Sequence, residues 1–464
     1  MFSLKINQGI NGNIKIPGDK SISHRSIIIP SISMGVSEIS NILKSDDVLN
    51  TMNAFKMMGV KIEESKDKLI IHGKGLESLI KPTKDIYLGN SGTSARLLTG
   101  LLASQNFDSI LTGDKSLSLR PMKRISEPLS LMCAKIQTNN GCMPLKIYGQ
   151  ELKNTSIKID IPSAQIKSGL ILAALNTNGT TTIHEKNITR DHTEIMLSFF
   201  GAKIEIKKNN NNEKIIRVTG KNELKATNIN VPSDLSSSAF FIVAALINNN
   251  SKILLKNINI NPTRNGILIA LEKMGAKINL SNIRKINNEK IADIYAETST
   301  LNGCELDSEL AKLMIDEYPI LSIAASFANS PSIFRGLGEL RVKESDRLEL
   351  IKINLRRCGI FCDIIGDDLL IDPLKKIEIK NNIIKTDFDH RIAMSFAVMG
   401  SKIGKLNIED SDAIKTSFPL FIKEFNKAGG KINWKKLLLQ LMVLQDQEKG
   451  RYLNTYQENG IWIV

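Results

Sequence analysis

Cationic side chains stand beside short polar turns along this chain of 464 residues. In the stretch "PGDKSISHR", Lys20 and Arg25 follow an alternating run that is typical of a β-strand. Asp19 and Ser21 in the same stretch are residue types that cap helices. Because the first turn of a helix already favours negative charge, two cations there suggest a bound anion. Taken alone, the stretch is better explained as a capped surface helix whose basic residues are solvated.

Two further segments add groups that could transfer protons. "DEYP" places Asp316 just before an apolar helix, where nearby cations would keep its carboxylate ionised and able to act as a base. "ELRVKESDRLELI" brings Lys343, Glu344 and Arg347 together, and helical spacing predicts Lys343 and Arg347 on one face. A surface helix held by salt bridges is the alternative. Arg120 precedes a proline in "SLRPM", which favours an extended backbone that presents its guanidinium to an anion.

An internal repeat predicts the elements that position these residues. An apolar residue, a small residue and "KI" recur at intervals of 68 to 84 residues, at 58–62, 132–136, 200–204, 274–278 and 428–432, with a weaker copy at 358–362. Each copy follows an apolar-periodic segment and precedes alternating residues. The pattern predicts a helix that ends at a small residue and is followed by a strand.

A second series of polar turns alternates with the first. Its members lie at 17–25, 88–98, 161–171, 231–241, 315–325 and 388–398, and each opens a helix of small and apolar residues. Such helices pack closely, so we expect six buried helices flanked by sheets. Six copies of one α/β unit predict two pseudo-symmetric domains of three units each, with a solenoid as the competing architecture.

The polar turns occupy equivalent places in their units, so two facing domains would bring all six helix starts to one cleft. Basic residues recur in or near the turns, at Lys20, Arg25, Arg96, Lys167 and Arg391. Capping explains Ser, Asp and Asn at helix starts, but it does not explain these cations. Helix dipoles together with the cations predict a ligand that carries more than one phosphate or carboxylate.

The composition limits the partners of the chain. Its net charge of +14, from 62 basic and 48 acidic residues, permits an anionic partner. A nucleic-acid-binding repeat protein is the alternative from another class, but the basic residues are scattered and aromatics make up 5% of the chain, so we expect no nucleic acid. The sequence contains no run of about 18 apolar residues, so we predict no membrane-spanning helix. Five cysteines without metal-ligand spacing indicate free thiols and a cytoplasmic protein.

Nine segments, in order along residues 1–432, carry a resemblance to one family. They read "PGDKSISHR", "LGNSGTSARLL", "SLRPM", "PSAQIKSG", "RDHTE", "DEYP", "ELRVKESDRL", "DHRIAMSFAV" and "SFP". The chain resembles the 5-enolpyruvylshikimate-3-phosphate synthases, and several segments look closest to their divergent bacterial class.

The resemblance implies a transferase that joins the enolpyruvyl group of phosphoenolpyruvate to the 5-hydroxyl of shikimate 3-phosphate and releases phosphate. This reaction belongs to the shikimate pathway towards chorismate and the aromatic amino acids. The resemblance implies these two small-molecule substrates, no metal, no organic cofactor and a monomer. The implied fold is an inside-out α/β fold of two pseudo-three-fold domains, each of three βαβαββ units. One domain comprises 1–12 and 233–432, and the other comprises 13–232.

The resemblance also implies the functional residues. The shikimate 3-phosphate site would consist of Lys20, Ser21, Arg25, Ser163, Ala164, Gln165, Arg190, Asp316 and Lys343. The phosphoenolpyruvate site would consist of Lys20, Asn90, Gly92, Arg120, Gln165, Arg347 and Arg391. Three residues would be catalytic: Lys20 reaches both substrates, Asp316 takes the proton of the 5-hydroxyl, and Glu344 donates a proton to the methylene carbon. Such roles require a raised pKa for Glu344 and an ordinary or lowered one for Asp316.

Some features depart from the family pattern. Many members have Lys directly before the closing "SFP" or "TFP", whereas this chain has Thr416 there and Lys415 one residue earlier, which puts a ligand contact by Lys415 in doubt. Gly92 stands where glyphosate-tolerant members of the divergent class often have Ala, so we expect a glyphosate-sensitive protein. The tail at 433–464 has no family match, although its "WKKLLLQLMVLQ" could form an amphipathic helix. His24 receives no role.

Two rival functions stay open beside this one. The sister enolpyruvyl transferase acts on UDP-N-acetylglucosamine with the same fold, but it usually has a Cys acid in the loop that corresponds to 113–124, where this chain has none. A catalytically inactive binding scaffold is the other rival, and the presence of every acid–base candidate disfavours it.

Overall fold

The computed structural model describes residues 2–4, 9–65, 67–210, 213–376, 382–434, 456–458 and 461–463. The α-helices in these residues are α1 Lys20–Ser31, α2 Asp46–Met57, α3 Gly92–Ala103, α4 Lys115–Ser118, α5 Lys123–Ser130, α6 Ala164–Ala174, α7 His192–Phe199, α8 Leu235–Ile247, α9 Gly266–Lys273, α10 Ser308–Met314, α11 Tyr318–Ala325, α12 Arg347–Arg357, α13 His390–Ile403 and α14 Phe421–Lys427. Short 3₁₀ helices lie at Ile315–Glu317, Gly338–Val342 and Ser411–Thr416.

The strands in the described residues are β1 Phe2–Leu4, β2 Asn11–Ile14, β3 Met34–Ser40, β4 Lys61–Ser65, β5 Lys68–Lys74, β6 Ile86–Tyr87, β7 Ser109–Thr112, β8 Lys135–Asn139, β9 Cys142–Tyr148, β10 Ser156–Ile159, β11 Thr180–Glu185, β12 Ile204–Lys208, β13 Lys214–Thr219, β14 Ile229–Asn230, β15 Lys252–Asn259, β16 Ile278–Ile286, β17 Glu289–Glu297, β18 Glu305–Leu306, β19 Ser332–Phe334, β20 Ile360–Ile365, β21 Asp368–Lys376, β22 Ile383–Ile384, β23 Asn407–Ile408, β24 Ile432–Trp434, β25 Tyr456–Glu458 and β26 Ile461–Ile463.

The strands from β1 to β24 form six four-stranded sheets of one design. Three sheets, β14-β3-β5-β4, β6-β7-β9-β8 and β10-β11-β13-β12, belong to the N-terminal domain, which contains α1 to α7. The sheets β16-β17-β15-β2, β18-β19-β21-β20 and β22-β23-β1-β24 belong to the C-terminal domain, which contains α8 to α14. Every sheet has one parallel pair and two antiparallel pairs, so the six repeated units predicted from the sequence are confirmed.

Each domain encloses its own hydrophobic core. Buried residues from Ile22 to Val231 form one core, and residues from Leu235 to Ile432 form the other, together with Ile10, Ile14 and Ile16. We propose that the chain divides near the boundaries expected from the sequence, 1–12 with 233–432 and 13–232. Ile14 and Ile16, at the first crossing, pack in the C-terminal core.

Small residues let the central helices of each domain approach closely. Helices α1, α3 and α6 contact one another or their neighbours in the N-terminal domain, and α8, α11 and α13 contact one another in the C-terminal domain. A Cβ added at Gly100 on α3 would lie 1.9 Å from the carbonyl oxygen of Gly169 on α6, so both positions require glycine. The predicted burial of these helices is confirmed, and their starts can therefore meet at the domain boundary.

The two chain crossings exchange strands between units. β2 precedes α1 in sequence, yet it pairs in parallel with β15 of the C-terminal domain. β14 precedes α8, yet it pairs in parallel with β3 of the N-terminal domain. Each of these two strands therefore pairs outside the domain of the helix that follows it, and the exchange ties the two domains together at their crossings.

Part of the tail lies outside the described residues. Residues 433 and 434 end β24, and β25 pairs with β26 in an antiparallel hairpin. The predicted amphipathic helix at 434–445 falls outside the described residues apart from Trp434, which is in β24. Among the helices that are described, none has the length and apolar character needed to span a membrane.

Candidate active site

A cavity of about 200 Å³ lies between the two domains. Three carboxylates line it against a larger set of cations. The cations are Lys20, Arg25, Arg96, Arg120, Arg124, Arg190, Arg264, Lys312, Lys343 and Arg391, and the carboxylates are Asp316, Glu339 and Glu344. A surface with this excess of positive charge is suited to a ligand that carries several negative charges.

Helix caps fix the backbone at this cavity. α1, α6 and α13 begin after the predicted capping residues Asp19, Ser163 and Asp389, whose side chains each accept a hydrogen bond from an N–H group of the first helical turn. The residues that follow these caps, among them Lys20 and Arg391, line the cavity. The polar turns therefore do what the sequence predicted, because a cap determines where its helix begins.

The start of α1 presents Lys20, Ser21 and Arg25 to the cavity. The Arg25 guanidinium donates to the Thr193 hydroxyl at 2.7 Å, the Ser168 hydroxyl at 2.8 Å and the Ser21 carbonyl at 2.8 Å. These bonds fix its plane and leave two of its five N–H groups for a ligand. Burial lowers the pKa of Arg25 to about 10, so the side chain stays charged at neutral pH.

The start of α6 contributes Ser163, Ala164 and Gln165. The Ser163 hydroxyl accepts the Ile166 N–H at 3.4 Å as the helix cap. The Gln165 side chain accepts from Arg96 Nη1 at 2.8 Å and donates to a neighbouring hydroxyl at 3.0 Å, which fixes the amide orientation at the cavity wall.

Asn90 and Gly92 lie behind the cavity lining, next to the guanidinium groups of Arg96 and Arg120. Asn90 accepts a hydrogen bond from Arg120 and donates to Asp114 at 3.0 Å. A Cβ at Gly92 would lie 2.8 Å from Arg96 Nη1 and 3.0 Å from Arg120 Nη1. Any larger residue at Gly92 would therefore push one or both guanidiniums, which are the groups that would hold an anion.

Asp316 sits in the 3₁₀ turn between α10 and α11, surrounded by cations. Its Oδ2 accepts from Arg190 Nη2 at 2.8 Å, and its Oδ1 lies 3.2 Å from Lys343 Nζ and 3.3 Å from Arg347 Nη1. Burial alone would raise its pKa, but Lys343, Arg190 and Arg391 together hold the pKa well below the usual value. The carboxylate is therefore ionised, as a general base requires.

Glu344 has the opposite protonation from the one predicted. Its Oε2 lies 2.6 Å from Arg347 Nη2 and its Oε1 lies 3.8 Å from Arg120 Nη1. Burial would raise its pKa, but Arg347 and Arg120, aided by Lys20, hold the pKa well below its usual range. The raised pKa expected for Glu344 is wrong for this arrangement of charges.

Lys343 and Arg347 do not share a helix face. α12 begins at Arg347 because Asp346 caps it by accepting the Glu349 N–H at 3.0 Å, so Lys343 and Glu344 lie in the irregular segment before it. The helical pair predicted there is wrong. Arg347 is 1% exposed, bonds to Asp389 at 2.8 Å, and lies behind the cavity lining rather than on it.

The start of α13 contributes Arg391 and the neighbouring His390. Arg391 donates to the Asp316 carbonyl at 3.0 Å. Burial, followed by the charge of Lys20, lowers the pKa of His390 to about 3, so its ring is neutral. Lys415 is outside the lining: its amine lies 2.7 Å from Asp412, and its side chain is 61% exposed.

Two residues near helix starts point into the protein instead of the cavity. Lys167, one of the five recurring cations, is fully buried, 3.0 Å from Glu185 and 2.9 Å from Glu194. His24 bonds to Thr51 at 2.8 Å, and burial lowers its pKa well below the usual value. Neither one lines the cavity.

The cavity lining also contains charged and histidine residues that were given no role on the basis of the sequence. They are Arg124, His192, Arg264, Lys312, Glu339 and His390. Arg124 follows Arg120 by four residues, and His192, Glu339 and His390 lie inside recognised motifs, so these four carried a local signal. Arg264 and Lys312 stand in ordinary loop or helix sequence and could be found only from the fold. Within the described residues, no group of three or more His, Cys, Asp or Glu is placed to hold a metal ion.

Comparison with known proteins agrees with this geometry. A sequence model of EPSP synthase (3-phosphoshikimate 1-carboxyvinyltransferase) matches residues 4–425. The chain belongs to the EPSP synthase family. The predicted family is thereby confirmed, and with it the class of transferases to which EPSP synthases belong.

Several relatives support the assignment to EPSP synthases. A 3-phosphoshikimate 1-carboxyvinyltransferase of Ruthia magnifica subsp. Calyptogena magnifica is 46% identical over 436 residues, covering 93% of this chain and 98% of that protein. One from Geotalea uraniireducens (strain Rf4) is 42% identical, covering 92% and 98%. The solved EPSP synthase from Acinetobacter baumannii is 42% identical with a TM-score of 0.82, covering 93% and 99%.

A more distant structure bears on the fold alone. The enolpyruvyl transferase NikO from Streptomyces tendae is 15% identical, with a TM-score of 0.74, and covers 93% of this chain and 98% of that one. The predicted two-domain α/β fold of the enolpyruvyl transferases is confirmed.

Proposed function

We propose that this protein transfers the enolpyruvyl group of phosphoenolpyruvate to the 5-hydroxyl of shikimate 3-phosphate and releases phosphate. One observation carries the proposal: Asp316 and Glu344 face the same cation-rich cavity, with Arg347 in contact with both carboxylates. In a site whose cations bind two anionic substrates, one of these carboxyl groups can donate a proton and the other can accept one. The names of the relatives favour shikimate 3-phosphate over UDP-N-acetylglucosamine.

Shikimate 3-phosphate would bind mainly to the N-terminal domain. Its carboxylate would take the two free N–H groups of Arg25, and its 3-phosphate would lie at the start of α6, where Ser163, Ala164 and Gln165 meet the helix dipole. Arg190 stands beside that position, and Lys343 with Ser21 would complete the contacts.

Phosphoenolpyruvate would bind between both domains. Arg120 and Arg391 face the cavity and would hold its phosphate and carboxylate, while Lys20 would reach both substrates. Asn90 and Gly92 would act by orienting Arg120 and leaving room for it. Arg347 lies behind the lining and would act through Asp316 and Glu344, the two carboxylates that it contacts.

The proton transfers follow from the two carboxylates. Glu344 donates a proton to the methylene carbon of phosphoenolpyruvate, the 5-oxygen attacks the resulting cationic carbon, and Asp316 takes the hydroxyl proton. The Glu344 carboxylate then takes a proton back from the new methyl group, the C–O bond to phosphate breaks, and phosphate leaves with the proton held by Asp316, which restores the enol ether, the Glu344 acid and the Asp316 carboxylate. Glu344 must first gain a proton. An anionic substrate that engages Arg120 and Lys20 would weaken their hold on Glu344 and raise its pKa, which supplies the acid.

A monomeric cytoplasmic enzyme completes the proposal. Its five cysteines are all unpaired thiols, which supports a reducing compartment.

Phosphate release tests the proposal. The purified protein should release phosphate when it receives both shikimate 3-phosphate and phosphoenolpyruvate, and Asp316→Ala should not. UDP-N-acetylglucosamine in place of shikimate 3-phosphate should give no release. Release that depends on the nucleotide sugar, or none with either acceptor, would disprove the assignment.

A further inference from the structure

The segment 189–194, "TRDHTE", is held by a polar contact at each of its six side chains. We call it the bridge segment. Two of its residues, Asp191 and His192, contact the C-terminal domain near the crossing, and Arg190 contacts Asp316 in the active site. The other three bond within the N-terminal domain. The bridge segment therefore touches both domains and the site at once.

The first anchor of the bridge segment is a buried cluster of charges. The fully buried amine of Lys167 lies 3.0 Å from Glu185 and 2.9 Å from Glu194, and it donates to the Thr189 carbonyl at 3.2 Å. Glu185 in turn accepts the Thr189 N–H at 2.9 Å. Lys214 completes the charge balance at 2.9 Å from Glu194. Since a buried ion pair contributes little net stability, the main effect of this cluster is the geometry that it imposes.

The second anchor crosses the domain boundary. His192 Nδ1 lies 2.7 Å from Glu289 Oε1, and these side chains are 1% and 4% exposed. Asn259 and Asn261 each donate to the other oxygen of Glu289 at 3.1 Å, and Asn261 also donates to Asp191 at 2.8 Å. Burial would raise the pKa of Glu289, but His192 and the two amides hold the pKa below its usual value, which keeps it an acceptor.

This second anchor lies beside the place where the chain crosses between domains. The backbone N–H of Asn259 donates to the carbonyl of Ser233 at 2.9 Å, and Ser233 bridges both Gly18 and Ile258. The two crossings therefore fix Asn259, Asn259 helps to orient Glu289, and Glu289 holds His192.

Arg190 stands between the two anchors. Its guanidinium lies 2.8 Å from Asp316 Oδ2, which belongs to the C-terminal domain. We propose that His192, held by Glu289 across the boundary, is a positioning residue that sets where Arg190 stands relative to Asp316 and the 3-phosphate of the substrate. The role given to Arg190 rests on the proposed function.

Two substitutions at His192 test the idea. His192→Leu removes the donor and should raise the KM for shikimate 3-phosphate about tenfold, while the KM for phosphoenolpyruvate changes less than about threefold. His192→Asn places an amide donor where Nδ1 stood and should restore most of the loss. The matched control is His72→Leu, because His72 is on β5 and bonds to Glu63, away from the bridge segment. Its KM values should equal those of the wild type.

A double variant separates positioning from mere loss of stability. If His192 acts through Arg190, then Arg190→Met with His192→Leu should have the same shikimate 3-phosphate KM as Arg190→Met alone. Multiplied effects, equal rises in both KM values, or no rescue by His192→Asn would each overturn the inference. If His192→Leu fails to fold, Asn261→Ala removes the facing donor and should give the same selective rise.

Hydrogen exchange keeps the inference independent of the proposed function. Amides of residues 186–194 should exchange faster in His192→Leu than in the wild type and in His192→Asn, while α8 should be unaffected. A wild-type protein without turnover would disprove the function and leave this measurement valid. Unchanged exchange in His192→Leu would disprove the anchor.

Discussion

The two faces of the cleft share one architecture but differ in charge. The N-terminal domain lines the cavity with Lys20, Arg25, Arg96, Arg120, Arg124 and Arg190, and none of its described carboxylates belongs to the lining. The C-terminal domain supplies four cations and all three carboxylates, Asp316, Glu339 and Glu344. The repeated unit therefore gives both domains equivalent helix starts, but the side chains at these starts differ in charge between the domains. Under the proposed function, the N-terminal face mainly binds anions, and the C-terminal face supplies the groups that transfer protons.

The faces also act on each other. Arg190 of the N-terminal face contacts Asp316, and Arg120 faces Glu344, so each catalytic carboxylate takes part of its low pKa from the opposite domain. Any movement that separates the domains weakens these contacts and lets both pKa values rise. The cations of the N-terminal face therefore affect the pKa values of the two carboxyl groups as well as the binding of anions.

Removing the acid or the base should have the largest effect. Glu344→Gln and Asp316→Asn should each lower kcat about 10²–10⁴-fold, because an amide keeps the shape but neither gives nor takes the proton. The KM values should change far less. Initial rates of phosphate release measure both.

Glu339→Gln is the matched control on the same face. Glu339 lines the cavity and pairs with Arg124 at 3.1 Å, but it has no proposed role in proton transfer. Its kcat should stay within about threefold of the wild type, since a partly exposed ion pair contributes little. A loss in this variant as large as that in Glu344→Gln would remove the distinction between the carboxylates.

Removing one cation from the binding face should have the next largest effect. Arg120→Met should raise the KM for phosphoenolpyruvate about tenfold to hundredfold, because a charge-assisted fork to the anion is lost. Arg124→Met, four residues along the same segment, is the control and should change that KM little. Equal effects would mean that the face acts as a diffuse charge rather than through one guanidinium.

Adding a methyl group to the binding face should have a smaller effect. Gly92→Ala crowds Arg96 and Arg120 and should raise the KM for phosphoenolpyruvate about tenfold. The wild type should be inhibited by glyphosate, and the variant should lose more affinity for glyphosate than for phosphoenolpyruvate. Wild-type turnover that persists at inhibitor levels well above this KM would show that the space beside Gly92 does not set sensitivity.

Proton uptake should reveal the coupling between the faces, and it is the smallest signal. Since an anion beside Arg120 and Lys20 raises the pKa of Glu344, binding of phosphoenolpyruvate should take up a fraction of a proton, up to about one. The uptake should be largest when the pH lies between the low pKa before binding and the higher one after it. Calorimetric titrations in buffers of different ionisation enthalpy measure it, and Glu344→Gln should abolish most of it.

Much of this protein could be predicted from neighbouring residues in the sequence. The six helix starts, their capping residues and the helix-to-strand repeat depend on side chains that bond within a turn of one another, so Asp19, Ser163 and Asp389 announce their helices locally. Nine motifs in order sufficed for the family. Most of the residues predicted for the site also line the cavity, either at such a helix start or in a loop that the fold brings beside one.

The tertiary structure alone determines the orientation of the charged side chains and the groups that surround them. Lys167 faces a buried cluster and Arg347 stands behind the wall, since their partners lie on elements that are distant in sequence. The low pKa of Glu344 depends first on Arg347, three residues along the chain, and then on Arg120, which is more than two hundred residues away and belongs to no local pattern. The exchange of β2 and β14 was likewise invisible, because a strand's own sequence does not name its partner. Local interactions set where each helix begins, and long-range packing sets the electrostatics between them.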